Sequence, residues 1–136
     1  MDWHSGDLVD ITLQDGLPFV SIKITQSNQS VTIPNVLLDT GSAGTVFNTD
    51  LVAKVGLVLE TNDIIRRIRG VGGSEFVFTK LVDEITLGDL RVENFEIEVG
   101  AMAYGFEIGG IIGMDFLTSV GAIIDLNQLQ IMPSKS

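Results

Sequence analysis

Apolar and polar residues alternate with a period of two through much of the chain. From Pro18 to Thr25 the alternation is regular, with Phe19, Ser21, Lys23 and Thr25 on one side and Val20, Ile22 and Ile24 on the other. That period marks a strand with one buried face. Leu8 to Leu13 alternates more loosely, and Asp15-Gly16 separates the two runs as a turn. Gln26 to Ser30 is a polar hairpin loop. Val31 to Leu38 is a further strand, almost wholly apolar at its end, as a buried strand is.

Thr49 to Val55 is the best helical segment, with Thr49 or Asn48 as its cap and Gly56 as its end. Ile64 to Arg69, Gly70-Val71-Gly72-Gly73 and Glu75 to Lys80 read as strand, turn and strand. Val82 to Leu87, Gly88-Asp89 and Leu90 to Val99 repeat that hairpin. Ile108 to Gly113 leads into a short helix over Asp115 to Ser119, with Asp115 as N-cap. Ala122 to Leu126 and Leu129 to Met132 close the chain as a hairpin around Asn127-Gln128. Many short strands, glycine punctuation and one or two short helices predict an all-β sandwich or barrel. Nothing divides residues 1–136, so a single domain is expected. One echo stands out: Val36-Leu37-Leu38-Asp39-Thr40-Gly41 resembles Gly110-Ile111-Ile112-Gly113-Met114-Asp115.

Composition narrows the function classes. The chain has 136 residues, of which 45% are hydrophobic and 19% charged, as in a folded globular protein. A net charge of −10 gives no electrostatic reason to bind nucleic acid or an anionic membrane surface. There is no cysteine, which excludes disulfides, thiolate metal sites and a cysteine nucleophile. No metal or other cofactor is expected. The N-terminal residues lack a basic region followed by an apolar run, and no apolar stretch reaches about 18 residues. The expected location is therefore cytoplasmic.

The chemistry concentrates at Asp39. An apolar strand delivers one carboxylate, followed by Thr40, Gly41 and Ser42. A carboxylate in such a place is costly unless it is hydrogen-bonded or paired. The bland reading is a turn aspartate bonded to its own backbone. For Gly70 to Gly73 it is an ordinary hairpin turn, and for Ile111-Ile112-Gly113 it is core. Asp125 reads as structural. His4 is a lone histidine near a terminus. Ser42 has no histidine to activate it as a nucleophile. Arg66, Arg67 and Arg69 read as a charged edge strand, with recognition of acidic substrate residues as the sharper alternative.

Three segments in order carry a resemblance: Asp39-Thr40-Gly41-Ser42 after apolar residues, Arg69-Gly70-Val71-Gly72-Gly73, and Gly110-Ile111-Ile112-Gly113-Met114-Asp115-Phe116-Leu117. Together with Leu17-Pro18-Phe19-Val20, they resemble the retropepsin-like aspartic peptidases, in particular the stand-alone bacterial type. The resemblance implies a closed antiparallel β-barrel-like fold. It implies an endopeptidase in which two carboxylates share a proton and activate a water. This chain has one such aspartate, so the second must be Asp39 of another copy in a homodimer. By the same resemblance Thr40 bonds across the dimer, Gly41 offers backbone to a polypeptide substrate and Ser42 orients the carboxylate. Gly70, Val71, Gly72 and Gly73 form a flap, with Val71 and Val77 lining the pocket. Retroviral members pair an Asp and an Arg at the dimer. Here Ala43 and Met114 stand at the corresponding places, which implies an apolar contact instead. The flap lacks the tyrosine of the pepsin branch, and Tyr104 has no role. The alternatives are a catalytically silent dimeric binding or assembly module, and a small-ligand or carbohydrate module for which the chain has few aromatics.

Overall fold

The computed structural model describes residues 8–70, 73–102 and 107–134. Two short strands open the chain, β1 (Val9–Asp10) and β2 (Thr12–Gln14). They are split at the buried Ile11, whose N–H donates to the Leu129 carbonyl at 2.8 Å. Asp15 and Gly16 both adopt positive φ, 52° and 79°. This mirror-image turn matches the twist of antiparallel strands, and it joins β2 to β3 (Leu17–Gln26) with Gln14 opposite Leu17. Ser27-Asn28 repeats the device, with φ of 49° and 66°. The expected polar loop is therefore only a two-residue turn into β4 (Gln29–Leu38).

After β4 come β5 (Val46–Asn48), the helix α1 (Thr49–Val52) and a single 3-10 turn over Ala53–Val55. The Asn48 side chain accepts from the N–H groups of Asp50 and Leu51, so it caps α1 as expected. Gly56 ends the segment in the left-handed conformation, φ 84°. Next are β6 (Ile65–Gly70), β7 (Gly73–Leu87) and β8 (Leu90–Gly100). β7 runs through the point where two strands were expected. Then follow β9 (Gly110–Ile112), α2 (Met114–Ser119), β10 (Ile123–Asp125) and β11 (Gln130–Met132). The N-cap of α2 is Gly113, not Asp115.

β1, β11 and β10 form a small sheet. The other eight strands form one sheet in the order β2-β3-β4-β9-β5-β8-β7-β6. β3 also pairs with β7 from Lys23 to Thr25, so the sheet curls back on itself. The result is barrel-like rather than fully closed, and two pairings, β4–β9 and β5–β8, are parallel.

The larger core holds Ile22, Ile24, Ile33, Phe47, Ile85 and Phe116, with the Phe116 ring edge-on to Phe95 at 6.0 Å. Burying such a side chain fully contributes roughly 2 kcal/mol. A second cluster sits on another face: Phe19, Val46, Val77, Met102 and Ile108, with Leu37, Ile68 and Ile111 against it. The pairing of β3 with β4 shifts register between Val20 and Ile22, where β4 carries one extra residue, so that Ile33 and Val36, three apart, both face the larger core.

Lys80 is buried, and its ammonium binds Glu60 at 2.6 Å and Asp63 at 2.8 Å. Burial alone pushes the Lys80 pKa down, but the hydrogen bonds to Asp63 and Glu60 outweigh it and the net shift is upward. The Asp63 carboxyl is held below its ordinary value, chiefly by the Lys80 hydrogen bond. The bridge fastens the irregular segment 56–64 to β7. Among the described residues, no helix is long and apolar enough to cross a membrane.

Candidate active site

Asp39 leaves the end of β4, where Val36, Leu37 and Leu38 lie beside Gly110, Ile111 and Ile112 of β9. The two halves of the sequence echo are thus neighbours in space, paired at a constant spacing along the chain. The Asp39 N–H extends this ladder by donating to the Ile112 carbonyl at 3.0 Å. Leu38 is buried in the larger core, while Leu37 packs on the second cluster. Residues two apart in a strand share a face, so Asp39 emerges on the side of Leu37 and Ile111.

The loop after Asp39 is tightly folded. The Gly41 N–H donates to Asp39 Oδ1 at 3.0 Å, and the Ser42 N–H donates to the Asp39 carbonyl at 3.1 Å. The first of these bonds is the self-bonded turn of the bland reading. It also fixes the rotation of the carboxylate. A Cβ on Gly41 would stand 3.3 Å from that same oxygen, so glycine keeps the carboxylate uncrowded. Asp39 is half-buried and Thr40 is exposed. The Ser42 hydroxyl donates to the Gly44 carbonyl at 2.8 Å. Its bond braces the loop, in contrast to the carboxylate contact that the resemblance implied.

Helix α2 anchors this loop. The first N–H groups of a helix have no partner within it. Here Met114 N–H donates to the Ser42 carbonyl at 2.8 Å and Asp115 N–H to the Ala43 carbonyl at 3.2 Å. Ala43 and Met114, singled out together in the sequence, are therefore held side by side. Gly113 makes the approach possible, since a Cβ there would meet the Gly44 and Ser42 carbonyl oxygens at 2.4 and 2.6 Å. Beneath lies Thr45, 1% exposed. Its hydroxyl donates to Asp115 Oδ1 at 2.7 Å and accepts from the Gly113 N–H at 3.2 Å. Asp115 Oδ1 also accepts from the Phe116 N–H at 2.7 Å. Asp115 thus satisfies a first-turn donor, though it is not the N-cap. Thr45 was not singled out in the sequence, because a buried threonine reads there like any strand residue.

Residues 20–116 match the family model described as aspartyl protease. The chain belongs to that family. The fold of this family member is retropepsin-like: it matches a retropepsin-like aspartic protease from Rickettsia conorii with a TM-score of 0.64 at 18% identity, over 92% of this chain and 96% of that one. A search of the curated proteins found no match.

In this aspartyl protease family member, Gly70 and Gly73 close the β6–β7 hairpin as paired residues. Val71 and Gly72 lie outside the described residues, as do His4 and Tyr104. Val77 is buried in the second cluster. β6 is the edge of the large sheet. Its Arg66 forms an ion pair with Glu98, and Arg67 lies over the Phe76 ring at 5.9 Å. The Glu98 contact pairs the Arg66 guanidinium, a candidate for acidic substrate residues, while the ring takes one face of Arg67 and none of its N–H donors. Asp125 accepts from the Gln128 N–H at 3.0 Å, a structural role in the last hairpin.

Proposed function

We propose that this chain is one half of a homodimeric aspartic endopeptidase, with the dyad made of Asp39 and its symmetry mate. The observation that carries the reading is the seat of Asp39. A single aspartate stands at the end of a buried strand, its rotation fixed by the Gly41 N–H and its loop anchored on α2. A hydrolytic dyad needs two carboxylates about 3 Å apart, sharing one proton. A second copy related by a two-fold axis supplies the other.

The ionised carboxylate takes a proton from a bound water, which attacks the scissile carbonyl. The protonated partner donates to the carbonyl oxygen, and no acyl-enzyme forms. Thr40, exposed beside the dyad, is the group that bonds to the opposing loop. Gly41 presents backbone to the substrate, and Ser42 stiffens the loop through Gly44. Gly70, Val71, Gly72 and Gly73 close over an extended polypeptide, excluding water. Activity falls once both carboxylates ionise, so an acidic to mildly acidic optimum is expected.

The test is a peptide-library digest from about pH 3.5 to 7.5, read by mass spectrometry, with wild type and Asp39→Asn side by side. Cleavage by the wild type alone is expected. An Asp39→Asn variant that still cuts would end the reading. Sedimentation under the same conditions must show a dimer, and an active strict monomer would refute the shared dyad.

A further inference from the structure

The strand ladder places a charged group on the face that carries Asp39. Cross-strand partners share a face, and Phe19, Leu37, Ile111, Val46 and Glu98 are successive partners across β3, β4, β9, β5 and β8. The row starts apolar, in the second cluster, and ends on Glu98. The Glu98 backbone is fixed, since its N–H donates to the Thr45 carbonyl at 2.9 Å. Its carboxylate reaches the catalytic loop, for a Cβ on Gly44 would stand 3.4 Å from Glu98 Oε1. Arg66 meets it from edge strand β6; the Glu98 side chain is 17% exposed and that of Arg66 55%. Glu75 shares the face, its carboxylate against Gly100.

We propose that Glu98 is a specificity-determining residue that favours a basic side chain, lysine or arginine, near the scissile bond of the substrate. The inference rests on the peptidase reading above. Glu98 is the fixed, inner member of the pair, and Arg66 is the outer one, on a strand with a free edge. A substrate cation can take the place of Arg66 at Glu98. An acidic side chain meets an Arg66 whose charge Glu98 already balances, with the Glu98 carboxylate close by to repel it. The net charge of −10 adds a field that draws cationic peptides in.

The experiment uses matched peptide series that carry Lys, Gln or Glu at each position within four residues of a cleaved bond. The readout is the ratio of kcat/KM for Lys over Glu peptides, because a merely structural loss lowers both alike. Wild type is expected to favour Lys by roughly tenfold at one position, and the ratio to shrink with added salt. Glu98→Gln should bring the ratio to about one or below, and Arg66→Gln should raise it. A wild-type preference for Glu, no charge preference, or a ratio unmoved by Glu98→Gln would overturn the proposal and leave the peptidase standing. Absence of any cleavage that depends on Asp39 would overturn both.

Discussion

Replacing Thr45 by valine keeps the shape of a buried side chain and removes one hydroxyl. Two bonds go with it. The bond to Asp115 Oδ1 at 2.7 Å is short and charge-assisted, and such bonds contribute about 1.5–3 kcal/mol. Asp115 is half-exposed and keeps the Phe116 N–H, so the low end of that range applies. The Gly113 N–H loses its 3.2 Å acceptor in a buried place, which costs about 1–3 kcal/mol. The long distance again favours the low end. Together these give a destabilisation of about 2.5 kcal/mol. Urea unfolding at fixed protein concentration reads it as a lower midpoint with an unchanged slope. A cycle with Asp115→Ala should show a coupling of about 1–2 kcal/mol. Activity should fall about 10- to 100-fold, because the loop that carries Asp39 is anchored on the same residues. A loss under about 1 kcal/mol, or a coupling near zero, would refute the view that Thr45 ties the loop to α2.

Met114 is 41% exposed and lines a shallow apolar concavity with Thr40 and Ile123. Met114→Glu should leave the monomer folded and weaken the dimer at least about tenfold, as read by analytical ultracentrifugation; an unchanged dimer would remove this surface from the interface. Lys80 sets a pH window. Asp63 is depressed below 3.8, so its contribution is full above that pH and is lost as pH falls through the folded value. Lys80 is raised above 10.5, so its contribution is full below that pH and is lost as pH rises through the folded value. Lys80→Met should flatten both limbs of stability against pH, and limbs that keep their slope would show that the bridge is not their source.

Local signals in the sequence were enough wherever one residue decides the backbone. Asp15-Gly16 made its turn, Asn48 capped α1 and Gly56 ended that segment. The echo between Val36–Gly41 and Gly110–Asp115 became the parallel bridge that seats Asp39. β7 was misread as two strands for a physical reason. Lys80 points inward to its carboxylates while Leu81 is 60% exposed, inverting the usual polarity. The buried phase also moves from Phe78, Lys80 and Val82 to Ile85 and Leu87 across Asp83. There Asp83 binds Gln26 and Ser27 of the neighbouring turn. Glu98 and Thr45 carried no sequence signal, because what distinguishes them is which strands the topology sets beside them. Ser42 was legible as part of the loop, but the partner of its hydroxyl was not.

On the peptidase reading proposed above, each copy of this chain offers the others a chain to cut. A cleft of this kind takes its substrate extended, held by main-chain bonds along several residues. Two-residue turns at Asp15-Gly16 and Ser27-Asn28 offer no such length, since the chain on either side is already committed to its own ladder. The segment 56–64 is the kind of stretch that could be pulled out straight. Lys80 holds Glu60 and Asp63 of that segment against β7, and the depressed Asp63 keeps the clasp shut into the acidic range. The consequence of the buried lysine is a segment that stays committed to β7 well into acid, closed to any partner that needs the chain straight.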